Sequence, residues 1–301
     1  MIGFGIINKL SKLSLMKNPN LHLVFYGAFI LLFFGCQTKT SSELRGALTF
    51  YVSFDNGTNA DYALGDNNMY TATSRNEVDR ARAGMHNADH EIIEGGGRFG
   101  DAFKFGRKSD TVIFYKCKDN IQYDPQSWTG TISFWLSLDP ATDLEPGFTD
   151  PIQITDEDYN EAAIWVDFTD ANPRDFRLGV LGDLNVWLRD TLGSSQDAEF
   201  ERRLVRVSSP PFTGADWTHV MVTFQALGTD QSLASLYLNG EKMGSISGID
   251  DPFTWDIGRS NIFLGLNFTG LIDEIAIFNR ALTDNDIREL LDLEEGIKSI
   301  L

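Results

Sequence analysis

The sequence predicts an all-β fold, a jelly-roll β-sandwich with a short C-terminal helix. Three observations carry that expectation. Segments with apolar residues at every second position recur from residue 46 onward, and Gly, Asn, Asp and Pro turns separate them. Helical periodicity is confined to one stretch near the C-terminus, so the alternating strand–helix pattern of a parallel sheet is missing.

The segment before the fold reads as a processing signal over residues 1–35. Leu21 to Phe34 is almost wholly apolar and, at 14 residues, suits a signal-peptide core better than a membrane span. Lys9, Lys12 and Lys17 supply the positive flank, and Met16 is read as the true start. The run Phe33-Phe34-Gly35-Cys36 resembles a bacterial lipobox. That resemblance implies an acylated Cys36 and a lipid-anchored protein of the bacterial cell envelope, at the outer membrane or cell surface. The alternative is a plain signal peptide that contains a cysteine. Residues 36–45, polar from Gln37 to Glu43, read as a lipidated flexible tether, and residues 46–301 as one domain.

Removing residues 1–35 leaves 266 residues, enough for one large β domain. The formal charge is −18; three lysines and no acid leave with the signal, so the remainder carries −21. Such a chain is unsuited to nucleic acid, whose phosphates demand clustered Lys and Arg. It fits an extracytoplasmic surface, a bound cation or a neutral ligand such as sugar. Beyond Cys36 only Cys117 remains, following Val112-Ile113-Phe114-Tyr115, and it reads as a packed side chain.

Along the chain, Leu48, Phe50, Val52 and Phe54 alternate with polar or aromatic neighbours. Ile132, Phe134, Leu136 and Leu138 repeat the pattern, as do Val220, Val222 and Phe224. Asn239-Gly240, between Leu236-Tyr237-Leu238 and Lys242-Met243, predicts a hairpin with a primed turn. Thr283 and Asp286 are spaced as a capping box, with Ile287, Leu290 and Leu291 along one helix face. Asp139 to Glu161 and Leu192 to Ala198 read as long loops within the domain.

Several segments, in this order, resemble the laminin-G-like, concanavalin A-like lectin/glucanase sandwich. They are Val52 to Gly57, Gly97 to Phe105, Thr131 to Leu136, Trp217 to Thr223, Leu236 to Gly240 and Gly270 to Leu282. The resemblance spans nearly the whole remainder and implies the fold. It leaves function open among lectins, adhesion modules, glycoside hydrolases and polysaccharide lyases. Asp156 to Pro211 departs from shorter members through extra strand-like material.

The resemblance also implies a structural Ca2+ where the first strand approaches the last, at Asp55, Asn56 and Asp273, with Asp61 and Asp66 nearby. Alternation places Asp273 on the face of Ile275 and Ile277. The other reading is that Asp273 accepts backbone N–H bonds and locks the strand. A second candidate is a sugar-binding face. In Ile164-Trp165-Val166-Asp167-Phe168, Trp165 and Asp167 leave the core face; in Asn185-Val186-Trp187-Leu188-Arg189, Asn185, Trp187 and Arg189 do so; Arg177 joins from Phe176-Arg177-Leu178. Indoles stack on the C–H patches of a pyranose while charged and amide groups take its hydroxyls. The competing reading is that extra loops bury these tryptophans. Trp135 and Trp217 read as framework, and Trp255 as rim or packing.

No catalytic residue is assigned. Glu157, Asp158 and Glu161 lack the spacing of a sandwich glucanase motif and read as solvated acids. His86 and His90 have zinc spacing only on a helix, whereas Gly84 and Gly95-Gly96-Gly97 mark a loop. The expectation is a lipoprotein that binds polysaccharide, glycan or an extracellular protein. A glycoside hydrolase or lyase, and a structural or protein-interaction lipoprotein, are the alternatives.

Overall fold

The structure is a computed structural model that describes residues 41–189 and 196–301. The signal segment and Cys36 lie outside the described residues. In chain order the strands are β1 Leu48–Val52, β2 Tyr62–Ala63, β3 Tyr70–Ala72, β4 Arg82–Ala83, β5 His90–Ile93 and β6 Ala102–Phe105. Next come β7 Val112–Lys116, β8 Trp128–Ser137, β9 Thr149–Thr155, β10 Ala163–Phe168, β11 Phe176–Leu181 and β12 Leu204–Val207. The last are β13 Thr218–Leu227, β14 Leu233–Leu238, β15 Glu241–Ser247, β16 Asn261–Leu266 and β17 Gly270–Phe278. The α-helices that follow β11 are α1 Leu184–Trp187, α2 Gln196–Glu201 and α3 Asp284–Leu291.

The first sheet runs β15-β14-β13-β8-β17-β1-β2, with β5 and β6 beside β17; the second runs β12-β11-β10-β9-β16-β7-β3-β4. All the pairings are antiparallel. The period-two residues face each other between the sheets: Phe50, Phe134, Val222 and Ile277 from the first, Ile154, Ile164, Leu178 and Ile262 from the second. Cys117 is fully buried in this core, where burial pushes its thiol well above the ordinary range.

The outer face of the first sheet has its own cover. Tyr51, Met221, Tyr237, Ala276 and Phe278 point away from the core and meet Ile287 and Leu290 of α3. The capping box is present as expected, with Thr283 and Asp286 exchanging bonds. The Asn239-Gly240 turn is also as expected, with φ of 50° and 79°. The tether ends sooner than residue 45: residues 41–47 are helical, and Leu44 is fully buried against this outer face.

Asp273 departs from simple alternation. A bulge in β17 between Asp273 and Ala276 sets both Ile272 and Ile275 on the core side. Asp273 therefore lies opposite Trp135 on the outer face, not beside Ile275 and Ile277. Glu274 occupies the bulge at φ 55°. Its carboxylate accepts from the Tyr51 hydroxyl and, at 2.9 Å, from the Ile297 amide, which ties the C-terminal segment to the first strand.

Asp273 and Glu274 are buried neighbours. Burial pushes both carboxyls up, Asp273 to about 8 with repulsion from Glu274 adding to it, and Glu274 to about 7 with repulsion from Asp55 adding to it. A raised carboxyl binds more proton in the folded state, so its contribution to stability falls as pH climbs from the ordinary carboxylate range through the folded value. The Tm of Glu274→Gln relative to wild type is expected to rise steadily with pH across that window. A difference that stays flat in thermal melts would show that Glu274 is ionised throughout.

Candidate functional site

The second sheet also carries chemistry on its outer face. Along β10 the core takes Ile164, Val166 and Phe168, leaving Ala163, Trp165 and Asp167 outward. Across β11, Trp165 pairs with Gly179 and Asp167 with Arg177. A Cβ at Gly179 would stand 2.3 Å from the Trp165 indole, so only glycine lets the ring lie flat across the neighbouring strand.

Arg177 donates to both Asp167 oxygens, at 2.8 Å from Nε and more closely from Nη2. The two side chains are only 8% and 5% exposed. Burial pushes the Asp167 carboxyl up while Arg177 pulls it down. The guanidinium sits 4.9 Å from the Phe148 ring centroid and 5.4 Å from that of Trp165.

A cavity of ≈ 490 Å³ opens above this pair. Its floor is Trp165, Asp167, Arg177 and, from β9, Asp150 and Gln153. Trp187 of α1 and Phe200 of α2 form a wall. Phe148 and Tyr159 stand at the mouth, 48% and 49% exposed, two of the few large apolar side chains that reach solvent. Gln153 is 1% exposed; its Oε1 accepts from Arg75 at 2.7 Å, and its Nε2 has no hydrogen-bond partner among the described residues. A buried donor without an acceptor is costly, and a ligand oxygen would satisfy it. Burial raises the Asp150 carboxyl well above its usual range, with Asp167 adding to the effect.

Of the expected sugar-face residues, Trp165, Asp167, Arg177 and Trp187 come together here, whereas Asn185 and Arg189 do not line the cavity. Residues 185–189 are not a strand. Asp183 accepts from the amides of Asn185 and Val186 and starts the one-turn helix α1. Leu184, Trp187 and Leu188 then fall together against Trp165 at helical spacing. Asn185 and Arg189 are left exposed, the latter on the Asn185 carbonyl. The expected loop cover is also real: Trp165 is 2% and Trp187 1% exposed, and their indole N–H groups donate to the carbonyls of Tyr159 and Asn160. Both line the cavity from beneath that cover.

Asp150, Gln153, Phe148 and Tyr159 were not anticipated. The acidic stretch 139–161 contains β9, whose Ile152-Gln153-Ile154 alternation was the available signal. Of the stretch 192–198, residues 196–198 begin α2 and the rest lie outside the described residues. Asp158 borders the cavity as an exposed acid, and Glu161 accepts from the Leu184 amide. Trp255 is packing, its indole against Trp128 and Tyr123.

The residues expected to hold calcium do not fit the ion. Asp273 accepts from the amides of Arg98, Phe99 and Glu274, the bonding that locks a strand. Asp55 accepts from the Asp101 amide and pairs with Lys298 at 3.1 Å. Asp61 is taken by Ser53 and Asn56, and Asp66 by Asn68 and Tyr70. Among the described residues no group of three or more His, Cys, Asp or Glu side chains is placed to hold a metal. His90 is packed against Phe105, and His86 bonds the Ala83 carbonyl.

Residues 115–288, more than half of the chain, match Laminin_G_3, the concanavalin A-like lectin/glucanases superfamily. The chain belongs to this family. No curated protein matches it. Among solved structures, the laminin-G-like domain is similar to the binding domain of botulinum neurotoxin serotype D, at 14% identity and TM-score 0.54, covering 84% of this chain and 52% of that one. The binding domain of botulinum neurotoxin DC, in complex with SialylT, gives 13%, 0.52, 86% and 52%. Domain 4 of AbnA, a GH43 extracellular arabinanase from Geobacillus stearothermophilus in complex with arabinotriose, gives 20%, 0.49, 82% and 98%. The chain thus spans about half the length of the neurotoxin binding domains.

The buried Asp167–Arg177 pair generates a stability prediction. Arg177→Met strands a carboxylate and is expected to cost about 3 kcal/mol, most of it recovered in Asp167→Leu/Arg177→Met. Urea unfolding of the three proteins checks this; a loss under about 1 kcal/mol for the single change would mean the pair is solvated.

Proposed function

We propose that the chain is a cell-envelope lipoprotein whose laminin-G-like domain binds glycan in the cavity on the outer face of the second sheet. The observation that carries this reading is the pairing of exposed aromatic rings at the mouth with a buried polar floor. Its size falls within the roughly 300–1,000 Å³ of small-ligand sites. Phe148 and Tyr159 offer flat apolar surface to the C–H face of a pyranose, and Gln153 Nε2 lacks the oxygen a sugar hydroxyl would bring. The binding domain of botulinum neurotoxin DC, about half of which is matched, has been solved with rat synaptotagmin II and with SialylT, so both kinds of partner are weighed here. The enclosed polar floor favours the glycan here. Binding without turnover is the reading, with Asp167 held by Arg177 as part of the polar floor.

The test is a glycan array with Phe148→Ala and Tyr159→Ala, both at exposed positions. Each is expected to weaken glycan binding about tenfold, or about 1.4 kcal/mol, without changing the Tm. A blank array for wild type would move the function to a protein partner, and release of sugar product would make the domain a hydrolase or lyase.

Anchoring at Cys36 rests on the lipobox resemblance. Cys36→Ser is expected to abolish incorporation of a labelled fatty acid and to release the protein from the membrane fraction. Unchanged labelling would rule out Cys36 as the acylated residue.

A further inference from the structure

The cavity is acidic in a way that the glycan reading does not by itself require. Asp150, Asp158, Asp167 and Asp197 line it, facing Arg177. Arg75 lies behind Gln153. Both guanidinium groups are already engaged. Arg177 is bidentate on Asp167. Arg75 donates to Gln153 Oε1 at 2.7 Å and to the Glu157 carbonyl at 2.9 and 3.3 Å, with its Cζ 4.5 Å from the Phe263 centroid. Neither bonds Asp150, and among the described residues no hydrogen bond reaches the Asp150 carboxylate.

Resting on the glycan reading, we propose that the cavity selects a sugar bearing a free protonated amine, and that Asp150 receives that amine. Four carboxyl groups face two guanidinium groups that are already engaged, so an anionic sugar is disfavoured and a neutral one brings no counter-charge to Asp150. An ammonium supplies the missing counter-charge, so that Asp150 ionises beside it and accepts a charge-assisted hydrogen bond. Aromatic rings already hold one cation here, since Arg177 lies between Phe148 and Trp165.

Gln153 decides for a sugar over a lysine side chain. It sits three residues from Asp150 on β9, nearly fully buried, with Nε2 unpartnered. That N–H needs an oxygen close to the amine. A 2-amino sugar has hydroxyls on the carbons beside its amine, whereas the methylene stem of lysine has none. Acetylation of the amine removes the charge and adds bulk.

The experiment is calorimetric titration of the full chain with matched tetrasaccharides of gluco and galacto configuration that differ only at carbon 2: amine, acetamide or hydroxyl. In at least one configuration the amine form is expected to bind about tenfold tighter than both others. Asp150→Asn is expected to bring the amine-to-hydroxyl ratio within about twofold, with its Tm confirming that it folds. The wild-type ratio tests the inference independently of the variant. Equal affinities, or preference for acetamide, overturn the amine assignment and leave the glycan reading standing. Tetralysine binding as tightly as the amino sugar also overturns it. No binding to any tetrasaccharide overturns both.

Discussion

A strand has two faces, and a sandwich buries only one face of each sheet; what becomes of the other shapes this molecule. The first sheet covers its outer face with α3 and residues 41–47, an apolar layer over Tyr51, Met221 and Phe278. The second is covered only in part. Along β10 the outward residues run Ala163, Trp165, Asp167, apolar and then charged. α1 and α2 cover the apolar part with Trp187 and pack Phe200 against it. Arg203 holds this cover in place, donating to Asp251 at 2.6 Å and to the Glu199 carbonyl at 2.8 Å. The cavity lies where the apolar cover gives way to the charged pair.

The Asp167–Arg177 pair is expensive to bury, and an apolar pair would fill the same space at less cost. Its position argues for a role in the site. It spans β10 and β11 opposite each other, fixes their register at the cavity floor, and orients a guanidinium plane between two aromatic rings. A hydrophobic replacement would keep the strands together but remove the polar floor, which is the property a sugar needs.

Much of the fold was legible because period two survives wherever one face meets the core. β8, β10, β13 and the Asn239-Gly240 hairpin follow directly from their residues. The site was legible only in part. Trp165, Asp167 and Arg177 obey alternation, but residues 184–188 satisfy period two and helical spacing at once, and the Asp183 cap decides between them. Asp273 was misplaced by a bulge, a single extra residue with no signature in composition. Asp150 and Gln153 were hidden because acidic neighbours made β9 resemble a loop. Phe148 and Tyr159 could not have been found at all, since exposure is a property of the assembled cover.

The cavity is also set apart from the point where the chain enters the domain. The chain enters the domain through residues 41–47, packed on the outer face of the first sheet. The C-terminal segment returns to that region, with the Ile297 amide on Glu274 and Lys298 on Asp55. The cavity opens on the outer face of the second sheet, across the full thickness of the sandwich. Residues 42–47 and the mouth of the cavity therefore lie on opposite faces of the sandwich.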